Sequence, residues 1–140
     1  MKKFYFLNHT GEIKFRAIGR TFEEALVNSA LATSSVMWDW EKVEKKIEYR
    51  VEVDGRDIKQ LLVNFLEEIL FLFDSQRFLL CSVENIRIKK KKSRHLLEAI
   101  FVGDKLHKKY RTKGNVKAIT YSEMKIERND HFIIQVVLDV

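Results

Sequence analysis

The run Phe132-Ile133-Ile134-Gln135-Val136-Val137-Leu138 constrains the fold more than any other stretch of the chain. Successive residues of a strand face opposite ways, so a run that is apolar at both parities has two faces to hide from water. This predicts a strand over 131–139, interior to a sheet and covered on both sides. Covering a sheet takes helices, and the sequence offers two. Thr21-Phe22-Glu23-Glu24 is a capping-box pattern, and Ala25, Leu26, Ser29, Ala30, Thr33, Val36 and Met37 follow at helical spacing as far as Trp38-Asp39-Trp40. Asp57 with Gln60 caps a second helix whose apolar stripe is Ile58, Leu61, Leu62, Phe65, Leu66, Ile69 and Leu70. That stripe is the widest in the chain and is expected at the centre of the core.

The remaining segments read as strands. Phe4 to Leu7 form a short one; Ile13, Phe15 and Ala17 alternate with Lys14 and Arg16 up to Gly19. Ile47, Tyr49, Val51 and Val53 alternate with Glu48, Arg50, Glu52 and Asp54, giving one buried and one wet face. Residues 78–89 and 94–102 are expected to pair across a turn at Lys89 to Ser93. Residues 116–127 and 131–139 pair around Asn129-Asp130, and a basic loop runs from Gly103 to Gly114. With no internal repeat evident, the order predicts an α+β single domain over 1–140, two helices packed on a largely antiparallel sheet.

Several chemistries are poorly supported. The glycines are isolated, so no phosphate-cradling loop is present; there is no His-x-x-x-His, no cysteine pair and no Gly-x-Ser-x-Gly. The one cysteine, Cys81, lies in Phe78-Leu79-Leu80-Cys81, a context for a small buried hydrophobe, and fits a reducing, cytoplasmic setting. No apolar run is long enough to predict a membrane span. The net charge of +6 permits an acidic partner. Lys89, Lys90, Lys91 and Lys92 are the obvious basic contact, although like-charge blocks are ordinarily solvated turns. Lys105, His107, Lys108, Lys109, Arg111 and Lys113 are candidates to extend it, with Tyr110 as the one interleaved aromatic for base stacking.

Two acids stand apart. Glu12 follows the polar cluster Asn8-His9-Thr10-Gly11, and Asp139 follows the doubly apolar strand, with Val140 bringing a terminal carboxylate beside it. Taken singly, such acids are ordinary surface charges. Gathered together they would repel unless something positive lay between them, and oxygen-rich sites of that kind suit hard divalent cations.

These same segments carry a resemblance. Asn8-His9-Thr10-Gly11-Glu12-Ile13 resembles the archease signature Asp-His-Thr-Ala-Asp-Ile. The likeness continues at Thr21-Phe22-Glu23-Glu24-Ala25, Leu70-Phe71-Leu72-Phe73-Asp74, Val116-Lys117-Ala118-Ile119-Thr120-Tyr121 and Val137-Leu138-Asp139-Val140. It implies a non-catalytic accessory protein of RtcB-type RNA ligase, the GTP- and Mn²⁺-dependent enzyme of tRNA splicing and RNA repair. In that role it would speed guanylylation of the ligase and restore multiple turnover, meeting RNA only through the ligase. The resemblance also implies a divalent cation, Ca²⁺ first and Mn²⁺ or Mg²⁺ as alternatives, held by Glu12, Asp139 and the carboxylate of Val140, with Asn8, His9 and Thr10 in support. Asn8 stands in place of an acid, Glu12 in place of an aspartate, and Ser122-Glu123 in place of the usual His-Asp.

Two rival readings remain. A free-standing RNA-binding or chaperone module would use the basic segments and bind RNA in a salt-sensitive way. A metal-dependent hydrolase would need a base, for which the sequence offers His9.

Overall fold

The computed structural model describes residues 2–8 and 10–140. Among the described residues seven strands and two long helices follow one another as β1 (Phe4–Leu7), β2 (Ile13–Gly19), α1 (Phe22–Met37), β3 (Ile47–Gly55), α2 (Ile58–Gln76), β4 (Phe78–Lys91), β5 (Arg94–Lys105), β6 (Ala118–Arg128) and β7 (Phe132–Asp139). A single 3₁₀ turn, Trp40–Lys42, separates α1 from β3. The expected α+β class holds, and every strand pairing is antiparallel. The strands divide, however, between two sheets, β1-β2-β7-β6 and β3-β5-β4. Each helix touches strands of both sheets, and together they close one apolar core. β7 is interior, between β2 and β6, as its two apolar faces require.

Both helices begin where the capping patterns put them. The Glu24 N–H donates to Thr21 Oγ1 at 3.0 Å, and the Gln60 N–H to Asp57 Oδ1 at 2.8 Å. The Glu24 and Gln60 side chains reach one residue further back than in the usual box, accepting from the Arg20 N–H (3.0 Å) and the Arg56 N–H (2.8 Å). The parallel goes deeper. Asn28 Nδ2 donates to the Ile18 carbonyl and Asn64 Nδ2 to the Asp54 carbonyl, both at 2.7 Å. A Cβ added at Gly19 would lie 2.3 Å from the Ala25 nitrogen, and one added at Gly55 2.5 Å from the Leu61 nitrogen.

The chain therefore does contain an internal repeat, contrary to the reading from sequence. It is a strand–Gly-Arg-cap–helix unit present twice at one fixed interval, as β2–α1 and β3–α2. Periodicity hides it because the helix faces that follow differ. α1 buries Asn28, Ser29, Ala30, Thr33 and Ser34, whereas α2 buries Leu61, Leu62, Phe65, Leu66 and Ile69. In α1, Ser29 Oγ and Thr33 Oγ1 donate back to the Ala25 and Ser29 carbonyls and are satisfied inside the core, whereas the buried Ser34 Oγ has no hydrogen-bond partner among the described residues.

The β4–β5 hairpin is longer than its hydrophobic pattern suggests. Lys89, Lys90 and Lys91 are strand residues opposite Leu96, His95 and Arg94, and only Lys92-Ser93 form the turn. Lys92 takes φ 56°, the left-handed geometry of a tight hairpin turn.

Candidate functional site

The site is built at one end of the four-stranded sheet. Ile13, the first residue of β2, pairs with Leu138 of β7, so one further step brings Glu12 level with Asp139. On its other side Asp139 pairs with Ala118 of β6, and its carbonyl accepts the Lys117 N–H at 2.7 Å. The acid that ends β7 and the acid that precedes β2 are thus brought level, although the sequence separates them by almost its full length.

Strand alternation assigns them a common face. Phe15, Ala17, Ile134, Val136 and Leu138 are fully buried on the helix side. Glu12 and Asp139 share the opposite parity with Lys14, Arg16, Gln135 and Val137. On that face Arg16 Nε donates to Gln135 Oε1 (2.8 Å), Gln135 Nε2 to the Glu123 carbonyl (2.7 Å), and Lys14 Nζ pairs with Glu123 Oε1 (3.1 Å). β6 makes this possible. Its register against β7 breaks between Thr120 and Lys125, and Glu123 takes φ 51°. The bulge turns Glu123 toward Lys14 and helps to cover Gln135, which is only 2% exposed. Lys14 and Glu123 are neighbours of the acid pair that no spacing rule pointed to. The one signal in the sequence was the Ser122-Glu123 departure from the family pattern.

Asn8, Thr10 and Asp139 are exposed, Glu12 is half-buried, and Val140 is exposed at the same sheet end. Gly11 takes φ +74° in the loop between β1 and β2. His9 lies outside the described residues. Among the described residues no group of three His, Cys, Asp or Glu side chains is gathered closely enough to hold a metal ion. The side-chain donors that the register does bring level are two carboxylates. Such hard oxygens suit Ca²⁺, Mg²⁺ or Mn²⁺ and not a thiol-seeking metal.

The basic segments do not form one patch. In the β4–β5 register Lys91 faces Arg94 at one end of the hairpin and Phe78 faces Lys105 at the other, about 40 Å away along strands of this length. The loop after Lys105 therefore does not extend the lysine tip. Tyr110 is no stacking platform either, being 9% exposed. Its hydroxyl donates to Asp104 Oδ2 (2.7 Å) and accepts the Glu44 N–H (3.1 Å). That bond from Tyr110 holds the Asp104 carboxyl below the usual range, and burial pushes the Tyr110 phenol up. Cys81 is buried as expected, and burial raises its thiol pKa, the reverse of what a nucleophile needs.

The sequence model of the Archease protein family (MTH1598/TM1083) matches residues 4–140. The chain belongs to the archease family. It is 37% identical to the protein archease of Pyrococcus furiosus and 39% identical to that of Sulfurisphaera tokodaii, each match covering the whole of both chains. The solution structure of Methanobacterium thermoautotrophicum protein 1598 has the same fold, with a TM-score of 0.83 at 29% identity and full coverage of both chains. Among the described residues no helix is long and apolar enough to cross a membrane.

Proposed function

We propose that this archease-family chain is a non-catalytic activator of an RtcB-type RNA ligase, acting in the cytoplasm in tRNA splicing and RNA repair. Its working part would be the carboxylate pair Glu12 and Asp139. The observation that carries the reading is the β2–β7 register, which sets these two acids level on one face of the sheet end. Family membership supports the partner. The position of the pair at a sheet end, clear of both helices, suits insertion into the mouth of another protein's active site.

In this reading Glu12 and Asp139 supply oxygen ligands, and the carboxylate of Val140 supplies a third. Asn8 and Thr10 lie exposed before Glu12, and His9 falls between them in the sequence. The Asp139 backbone is held by its pairing with Ala118 and by the Lys117 N–H, so its side chain is presented from the end of a strand. On the same face of the sheet Lys14 pairs with Glu123. A divalent cation bound there would neutralise the acids and, at the ligase, stabilise phosphate charge during guanylylation. Without the cation the acids themselves would offer a chelating patch for the ligase's own Mn²⁺.

Calorimetric titration of Ca²⁺ and of Mn²⁺ tests the site apart from any ligase. Replacing Asp139 by Asn, or adding a short glycine extension after Val140, is expected to weaken binding by about tenfold or more while leaving the fold intact. Equal affinity in all three proteins would remove the cation from the account.

A further inference from the structure

The loop after β5 is strongly basic, yet it is tied down at every turn. The Leu106 N–H donates to the Arg77 carbonyl (2.7 Å), the Tyr110 N–H to the His107 carbonyl (2.9 Å) and the Lys113 N–H to the Met37 carbonyl (2.9 Å). Thr112 forms an isolated bridge with Trp38. Trp38 in turn is fully buried, with its indole N–H on the Leu80 carbonyl at 2.9 Å and its ring stacked on Phe73. These attachments hold Lys109, Arg111 and Lys113 around a hollow of about 490 Å³ that they share with Lys42, and Asp39 is the one acid in its lining.

A solvated loop of like charges would be expected to splay them apart. Here the backbone attachments set Lys109, Arg111 and Lys113 around one hollow. Two of them are already partnered: Lys109 pairs with Glu44, and Lys42 lies 4.0 Å from Asp39. Arg111 and Lys113 take part in no ion pair or side-chain hydrogen bond among the described residues. The result is a rigid concave surface with two uncommitted cations and a surplus of positive charge. Its volume is in the range of small-ligand pockets, about 300–1,000 Å³. Paired with a lysine, the planar guanidinium of Arg111 suits tetrahedral oxyanions carrying more than one negative charge.

We propose that this hollow is a phosphate-binding site, in which Arg111 and Lys113 hold the phosphate oxygens of a nucleotide or of a nucleic-acid strand. The assignment stands independently of the acid pair. The two regions are nevertheless neighbours along the chain, because Lys113 lies within about 14 Å of Lys117, the residue whose N–H holds the Asp139 carbonyl.

The test compares wild type, an Arg111→Ala/Lys113→Ala protein and a Lys90→Ala/Lys91→Ala protein that loses the same charge from the hairpin tip. Inorganic pyrophosphate and a short single-stranded RNA are titrated into each at low salt, with thermal midpoints recorded. All four side chains are exposed, so the midpoints should match. Wild type and the hairpin variant are expected to bind pyrophosphate alike, and the loop variant about tenfold or more weakly. A parallel loss of RNA affinity in the loop variant would assign a strand as the source of the phosphate, and a loss confined to pyrophosphate a free nucleotide. The proposal is overturned if neither probe binds wild type, or if the loop variant binds pyrophosphate as tightly as wild type.

Discussion

At Gly19 and again at Gly55 the chain passes from strand to helix by the same device. A glycine admits the helix backbone, a capped first turn follows, and an asparagine reaches back to the carbonyl before the glycine. Upstream the two units differ. Position 48 of the second unit corresponds to position 12 of the first. Glu48 sits inside a regular strand opposite Val102, with β3 running unbroken from Ile47. Glu12 sits just before β2 begins, after Gly11, where the register brings it level with Asp139. The duplicated residues therefore serve the fold. Function is to be sought where the repeat breaks down, at the open end of β2.

The comparison is broken most directly at the glycines. Alanine at Gly19 or Gly55 drives a Cβ into helix backbone, which cannot swing aside as a side chain can. Each is expected to lower stability by about 3 kcal/mol or more in urea denaturation, with Gly19 the worse for its closer contact. Tolerance of alanine at either position would show that the two joins are not equivalent. The asparagines sharpen the picture with a smaller effect. Asn28→Ala removes a buried side chain and its bond to the Ile18 carbonyl and should lose about 2 kcal/mol; Asn64→Ala, at a less buried position, should lose about 1 kcal/mol.

The smallest effect concerns the position before the second glycine. Ile18 of the first unit has Asp54 as its counterpart. Arg94 Nε donates to Asp54 Oδ2 at 2.7 Å, and this bond holds the Asp54 carboxyl below its ordinary value. A depressed carboxyl contributes stability above its unfolded pKa of about 4, and that contribution disappears as pH falls through the folded value. Arg94→Ala should therefore be slightly less stable than wild type at neutral pH, and the two urea midpoints should converge in acid. A gap unchanged down to acid pH would mean that the pair contributes nothing through ionisation. Both side chains are about half exposed, so a small gap is expected from the start.

Much of this architecture is legible in the residues. Thr21, Glu24, Asp57 and Gln60 mark both helix starts, because a cap is a local interaction with a local signature. The burial of β7 follows from Ile133 and Val137 being apolar where alternation would place polar residues. The division into two sheets is not legible, since it depends on β2 choosing β7 and β3 choosing β5, partners far away in sequence. The repeat is present in the letters, as Gly-Arg followed by a cap and later by Asn, but two differently composed helix faces disguise it. At the site, sequence context marks Glu12 and Asp139 as candidates, but it takes the family resemblance to join them in one site. The β6 bulge that brings Glu123 to Lys14 has no local cue, nor does the burial of Tyr110 within a lysine-rich loop.

The central claim rests on Glu12 acting where its counterpart Glu48 does not. The deciding measurement is multiple-turnover RNA joining by an RtcB-type ligase supplemented with wild type, Glu12→Gln or Glu48→Gln. The account predicts that Glu12→Gln loses about tenfold or more of the stimulation and that Glu48→Gln keeps it. Equal stimulation by the two variants would contradict it.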